Sequence, residues 1–225
     1  MPIITCVEDL RKLSRRRVPK MFYDYLDSGS WTESSYRANA ADLGSLLLRQ
    51  RVGIDTAGRS TAAHMMGKAV AMPVALAPAG LTGMQFADGE ILAARAAERF
   101  GVPYVLSTMS ICSIEDVAAH TSAPFWFQLY LLRDRDFVSR LMQRARAAAC
   151  PVLVLTMDLP VMGQRHQDLR NQLRAPPAPT LSNLLGFMAR PRWCLRMLGT
   201  RRRGFGNVIG HVGELESLRS LAAWT

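Results

Sequence analysis

The sequence predicts an α/β fold whose parallel strands belong to a (β/α)8 barrel, with residues 1–225 holding about the first four β/α units. Three observations point there. Apolar runs too continuous to alternate recur between helical stretches, which indicates strands covered on both faces and joined by helical crossovers. Each run ends in groups that hydrogen-bond: Ala79-Gly80, Ser107-Thr108, Gln128 with Tyr130, and Thr156 with Asp158. No GxGxxG follows the first run, which argues against a doubly wound dinucleotide-binding sheet. Four strands delivering polar groups at their C-terminal ends suit one ligand held at the top of a barrel.

Taken in order, residues 7–17 (VEDLRKLSRRR) and 19–28 (PKMFYDYLDS) read as two short helices. Pro19 suits a helix start, and Gly29 suits the cap after Ser28. Residues 30–54 form a helical or irregular connector, and residues 55–67 are polar and turn-rich, so 1–72 precede the barrel proper. Barrel units 1–4 occupy 73–158. Strands are expected at 73–78, 104–108, 125–130 and 151–158, and helices at 88–100, 113–120 and 134–149. Ser113 is a good N-cap. Residues 176–213 carry too many turn residues and arginines for a core element, so 159–213 reads as a basic excursion loop. The stretch GELESLRSLAAWT has apolar positions three or four apart, as in a short amphipathic helix. A full barrel takes about 250 residues, so the chain reads as the N-terminal portion of a single domain.

Composition narrows the function. At 49% hydrophobic and 20% charged, the chain can bury a sizeable core. No apolar run reaches the length of a membrane span, and charges occupy the place of a signal peptide's apolar region. Cys6, Cys112, Cys150 and Cys194 are widely spaced without a CxxC pair, as expected for reduced thiols and not for a metal site. The net charge of +10 is concentrated: residues 160–213 hold nine arginines against one acid, Asp168. Such a segment should lie near an anion, whether a substrate carboxylate, a phosphate or a lipid surface. Basic–aromatic alternation, a helix-turn-helix and a zinc pattern are all missing, so nucleic acid is not the expected partner.

Five segments in order, PKMFYDYLDSGS, MPVALAPAGLTGM, VLSTMSICSIEDVA, FWFQLYLLRDR and LTMDLPVMGQRHQDLRN, resemble the FMN-dependent α-hydroxy-acid dehydrogenase and oxidase family. Within it, the likeness is to the membrane-associated bacterial dehydrogenases. The resemblance implies FMN as cofactor and an L-2-hydroxy acid, lactate first, as substrate. It further implies a hydride passed to flavin N5 and electrons passed on to quinone or another membrane acceptor. A cytoplasmic protein, peripheral on the inner face of the cell membrane and tetrameric as in the family, is expected.

Carried over by position, the resemblance gives Pro78, Ala79 and Gly80 a path past the flavin ring, where small residues allow contact. Ser107, Gln128 and Thr156 would hydrogen-bond the ring edge. Tyr25, Tyr130 and Arg165 would face the substrate, with Arg165 holding the carboxylate bidentately. Plainer readings stand beside these. Tyr25 could pack on an amphipathic helix, Thr156 needs no excuse in a strand, Gly80 could serve a tight turn, and Arg165 could be one solvated charge among nine. Gln128 is hardest to dismiss, because a buried amide must find partners.

The family's catalytic histidine and second arginine lie in a motif resembling SNHGGRQ, which residues 1–225 do not contain. His64, His120, His166 and His211 all lack that surrounding. His166 adjoins Arg165, but neighbouring side chains usually diverge, and it is not taken as the base. The alternative expectation is therefore a truncated, catalytically inactive chain that binds FMN weakly, with its first and last strands as open apolar edges. Related mandelate- or glycolate-type chemistry is a further alternative.

Overall fold

The structure, a computed structural model, describes residues 3–157, 163–173 and 180–209. It opens with α1 (Val7–Arg17), whose first turn carries Glu8 and Asp9 and whose last turn carries Arg15, Arg16 and Arg17, both favoured by the helix dipole. Asp9 also accepts from the Thr5 amide and hydroxyl at 2.9 and 2.8 Å. Helix α2 (Lys20–Leu26) starts directly after Pro19 and buries Met21. Asp27 at its end collects Arg11, Tyr23 and Tyr36. Gly29 does not cap α2; Asp27 does. The glycine is needed for close approach, since a Cβ there would lie 3.1 Å from the Tyr36 Cβ on α3 (Ser34–Gly44).

The turn-rich segment after the connector is a hairpin, β1 (Ala63–Met65) and β2 (Lys68–Val70). Its two-residue turn, Met66-Gly67, has φ of 48° and 76°, which matches the twist of paired strands. The turn was legible, but its flanks (Ala63-His64-Met65 and Lys68-Ala69-Val70) are too short and mixed to signal strands.

Parallel pairing begins at Leu76. The strand expected at 73–78 shrinks to a single parallel bridge, Leu76 to Tyr104. Pro73 and Pro78 have no N–H to give a ladder; the Val74 amide turns to the Met72 carbonyl at 2.7 Å, and Leu76 donates across to the Pro103 carbonyl at 2.9 Å. Next come β3 (Val105–Ser107), β4 (Trp126–Tyr130) and β5 (Leu153–Thr156), parallel and adjacent in sequence order. Their register sets Ser107 beside Gln128 and Tyr130 beside Thr156. Short α4 (Thr82–Gln85) and α5 (Gly89–Phe100), then α6 (Ile114–Ala118) and α7 (Arg135–Ala147) make the crossovers. Ser113 and Asp116 form a reciprocal capping box on α6, and Asp134 caps α7.

The core lies between strands and helices. Leu106, Phe127 and Leu129 of the sheet meet Ile91, Ala94 and Ala97 of α5, Ile114 and Val117 of α6, and Phe137 and Leu141 of α7. Beyond that packed side, Val74, Leu76, Leu153 and Leu155 are exposed, as expected for the flanking strands. Among the described residues the sheet is open and closes no barrel.

Residues 180–209 depart from the expected excursion loop. They form α9 (Leu181–Met188), capped by Thr180, and α10 (Pro191–Gly199), with Pro191 in its first turn. Met197, Thr200, Asn207 and Val208 are buried. The arginines do not keep the segment from packing, because several act as ties. Arg202 bridges Asp88 and Asp116 at 3.0 and 2.8 Å, and Arg203 donates to the carbonyls of Met197, Leu198 and Thr200 at the end of α10. Arg196 lies 4.1 Å over the Phe86 ring. Trp193 donates to the Met84 carbonyl at 2.8 Å and stacks with Phe22 and Phe187. The helix expected over 213–225, His211 and Asp158 lie outside the described residues.

Helices α6 and α7 are joined by Arg144, which meets both carboxylate oxygens of Glu115 at 2.7 Å. This pairing holds the Glu115 carboxyl down from 4.5 to about 2. A lowered folded-state value means that the pair's stabilisation is present above pH 4.5 and is lost as pH falls towards 2. In Arg144→Met, an NMR titration should find the Glu115 carboxyl back near its ordinary value. An unchanged midpoint would deny the arginine its role.

Candidate active site

The strand ends form a continuous polar shelf. The Ser107 hydroxyl donates to Gln128 Oε1 at 3.1 Å, and Gln128 Nε2 donates to Thr156 Oγ1 at 2.8 Å. The Thr108 amide also donates to Gln128 Oε1 at 3.2 Å, and the Met109 amide donates to Ser107 Oγ at 3.1 Å. Ser107 and Gln128 are buried, Gln128 only 2% exposed, while Thr156 is half-buried at the open end of the row. Three of the sequence-predicted residues are thus brought together by register and hydrogen bonding.

A second group stands apart in sequence. Arg165, just before α8 (His166–Arg170), donates from Nη2 to the Tyr25 carbonyl and pairs through Nε with Asp168. Its guanidinium lies 5.0 Å over the Tyr25 ring. Burial pushes the Tyr25 phenol up; the Arg165 charge opposes this, while Asp168 and Tyr130 add to it. Arg165 and Tyr25 thus form one cluster, and Tyr130, paired with Thr156 at the strand ends, adds to the upward push on the Tyr25 phenol. The Tyr25 phenol stays protonated at neutral pH and can donate a hydrogen bond.

Gly80 lies against this cluster. A Cβ there would come 3.0 Å from the Tyr25 hydroxyl and 3.4 Å from the Met109 carbonyl. Ala79 accepts from the Thr82 hydroxyl at 3.1 Å, and the Leu81 amide donates to the Met109 carbonyl at 3.2 Å. Pro78 is exposed at the start of this loop. The loop after the first strand thus rests on the loop after β3, with Gly80 between them.

Sequence reasoning missed two contributors. Thr108 donates from its hydroxyl to the Gln128 carbonyl at 2.6 Å, locking β3 to β4 beyond their ladder. Its place beside Ser107 was the available signal. Asp168, the single acid of the arginine-rich segment, is buried and orients Arg165. No histidine of the described residues joins the cluster. His64 is exposed on β1, His120 bonds the Asp116 carbonyl, and the His166 ring packs edge-on to Trp31 at 5.6 Å. The described residues hold no group of three or more potential metal ligands.

The strand ends thus present a hydrogen-bonding shelf, with an oriented arginine and a protonated tyrosine in a second group. Residues 14–224 match the family model described as FMN-dependent dehydrogenase, and the chain belongs to that family, whose cofactor is FMN. The chain is 40% identical over 224 residues to an L-lactate dehydrogenase of Xanthomonas campestris pv. campestris, and 39% identical to one of Vibrio parahaemolyticus. Each match covers 99% of this chain but only 58% and 59% of those proteins, so the chain spans under two thirds of their length. Among solved structures it resembles the monotopic membrane protein (S)-mandelate dehydrogenase, with a TM-score of 0.90 and 34% identity over 99% of this chain and 60% of that one. A mandelate oxidase matches with a TM-score of 0.72 and 35% identity over 80% of this chain and 51% of that one.

Gln128→Leu should lower stability by about 1–3 kcal/mol, because the buried Ser107 hydroxyl and Thr108 amide lose their acceptor and half-buried Thr156 loses its donor. Urea unfolding measures this; a loss below about 0.5 kcal/mol, within the range of ordinary surface changes, would mean the shelf bonds are not formed.

Proposed function

We propose that this chain contributes the flavin-edge and carboxylate-binding parts of an FMN-dependent L-2-hydroxy-acid dehydrogenase, with L-lactate as substrate. One observation carries the reading: the Ser107–Gln128–Thr156 row at the strand ends, beside Tyr130 and the cluster of Tyr25 and Arg165. The residues fit the group. A flavin's ring edge alternates acceptors and a donor, and two hydroxyls with a carboxamide can each donate and accept. Gly80 fits too, because a side chain there would crowd Tyr25 and Met109. When bound, FMN accepts the hydride that leaves the substrate carbon.

In this reading Ser107, Gln128 and Thr156 hold the ring edge, and Pro78, Ala79 and Gly80 pass along its face. Arg165 binds the substrate carboxylate. Among the described residues two of its donors are committed, to Asp168 and the Tyr25 carbonyl, and these fix the guanidinium plane for the remaining N–H groups. Tyr25, kept protonated by burial, donates to a substrate oxygen and does not act as the base at neutral pH. Tyr130 is its neighbour across the same substrate. The proton-accepting base is assigned to no described residue.

The barrel is part of the same proposal. Strands that follow one another in sequence order, all parallel, suit successive strands of a (β/α)8 barrel and not a doubly wound sheet, whose order reverses. Residues 73–158 would be its first four units, with 1–72 preceding them and 159–213 leaving the barrel as a basic excursion with helices of its own.

A membrane-surface partner is favoured by a separate observation. Leu181, Leu184, Leu185 and Met188 of α9 and Leu195 and Leu198 of α10 are exposed, and Arg190, Arg192 and Arg201 adjoin them. No described helix is long and apolar enough to cross a membrane. An apolar face rimmed by arginines suits an anionic bilayer surface, from which quinone would take the electrons. A peripheral place on the inner face of the cell membrane and a tetramer complete the reading.

Titration of the purified chain with FMN, followed by quenching of flavin fluorescence, tests the site. Saturable quenching is expected, weakened about tenfold by loss of the shelf bonds in Gln128→Leu; superimposable curves would remove the shelf from flavin recognition. Anaerobic L-lactate then separates a chain that turns over, bleaching the flavin, from one that only holds it. Co-sedimentation with phosphatidylglycerol vesicles should be strong for the unaltered chain and lost in Leu184→Asp/Leu185→Asp. Equal binding to neutral phosphatidylcholine vesicles would refute the arginine argument.

A further inference from the structure

Asn207 follows the helical pair α9–α10, about a hundred residues after the shelf loop, and is 0% exposed. Its side chain meets that loop from both amide ends. Oδ1 accepts from the Ile114 amide at 2.9 Å. Nδ2 donates to Ser110 Oγ at 2.9 Å and reaches the Ser107 and Thr108 carbonyls at 3.3 and 3.5 Å. A carboxamide has two donor hydrogens; one serves Ser110, and the other is shared between the two carbonyls. The backbone around Asn207 is equally committed. The Gly206 amide donates to the Ser110 carbonyl at 3.2 Å, and the Asn207 carbonyl accepts from Arg144 at 3.0 Å. A Cβ at Gly206 would come 2.7 Å from the Ile111 carbonyl, so only glycine lets the segment approach this closely.

Residues 107–114 include the first members of the shelf. Ser107 gives its hydroxyl to Gln128, and Thr108 gives its amide to the same oxygen. Their carbonyls are the ones that Asn207 engages. The ion pairs of the 180–209 segment, Arg202 with Asp88 and Asp116, meet helix starts instead.

We infer that Asn207 is a positioning residue for the flavin-edge shelf: it fixes the Ser107–Thr108 backbone, so Gln128 is presented correctly only when the chain after α10 is docked. The inference rests on the flavin reading for its functional meaning but not for its structural content. Docking of the α9–α10 pair and the geometry of the shelf thereby become one equilibrium.

Hydrogen exchange and side-chain amide NMR on the full chain test it. In Asn207→Ala the Thr108 amide should exchange on the order of tenfold faster and the Gln128 side-chain resonances should shift, while the Val138 amide of α7 stays as protected as before. Asn207→Asp keeps the acceptor for Ile114 but loses both donor hydrogens, and should reproduce the effect on Thr108 and Gln128 while sparing Ile114. Changes confined to Ile114 and residues 205–209, in either variant, would overturn the inference by reducing Asn207 to an anchor for its own segment. FMN titration of the same proteins separates the two claims. If the unaltered chain quenches no flavin, the flavin reading fails while the exchange data still decide the role of Asn207. If it does, Asn207→Ala should weaken binding about tenfold.

Discussion

The carboxamide of Gln128, buried at the end of the central strand, constrains everything around it. A buried amide without partners is costly, and the partners available are the groups that the neighbouring strands bring to the same level. Ser107 and Thr108 answer its oxygen from β3, and Thr156 answers its nitrogen from β5. A slip of one residue in either pairing would turn these groups to the opposite face. Hydrophobic burial of Leu106, Phe127 and Leu129 holds the strands together, but such contacts are non-directional. Hydrogen bonding at the strand ends supplies the direction, and it ties all three strands at one level.

The arginine-rich segment obeys a similar economy. Charge on this scale normally marks a solvated surface, and residues 181–198 do carry exposed leucines and arginines. Yet Arg202 sits between Asp88 and Asp116, one at the start of α5 and the other in the first turn of α6, while Arg203 closes the carbonyl end of α10. Acids placed at helix starts already favour those helices through the dipole, and one cation, Arg202, neutralises the acids of two such starts. The segment can face outward along α9 and α10 and still deliver Thr200, Asn207 and Val208 to the interior.

What the sequence disclosed followed from periodicity and from side-chain chemistry with few acceptable environments. Gln128 was legible because an amide in FWFQLY demands partners, and Arg165 because of its setting in MGQR. The helices at 7–17, 88–100 and 134–149 were legible from spacing and caps such as Asp134. Less was visible where structure depends on distant chain. Nothing local in GFGNV separates Asn207 from a loop asparagine, since its partners lie near residues 107–114. Pro73 and Pro78 looked like strand boundaries, but their missing N–H groups reduce the first strand to one bridge. Gly29 looked like a cap, yet its need is steric, imposed by Tyr36 from the next helix.

The same dependence on distant chain bears on how the cluster around Arg165 is held. Arg165 is oriented by the carbonyl of Tyr25, 140 residues earlier, and its charge lies over that residue's ring. Helix α2 is thus tied into the Arg165 cluster and is not a leading appendage, whereas α1 buries no residue and reaches the rest chiefly through Arg11 and Asp27. Helix α2 is held from three sides: Asn171 donates to Asp24, Gln85 donates to the Phe22 carbonyl, and Phe22 stacks on Phe187 and Trp193. Those tethers come from α8, α4 and the α9–α10 pair in turn. Displacement of the outer helices can thus reach Tyr25 through α2 and the Ser107 backbone through Asn207. The exposed face of α9 and α10 and the polar groups at the strand ends therefore share supports, in α2 and in Asn207.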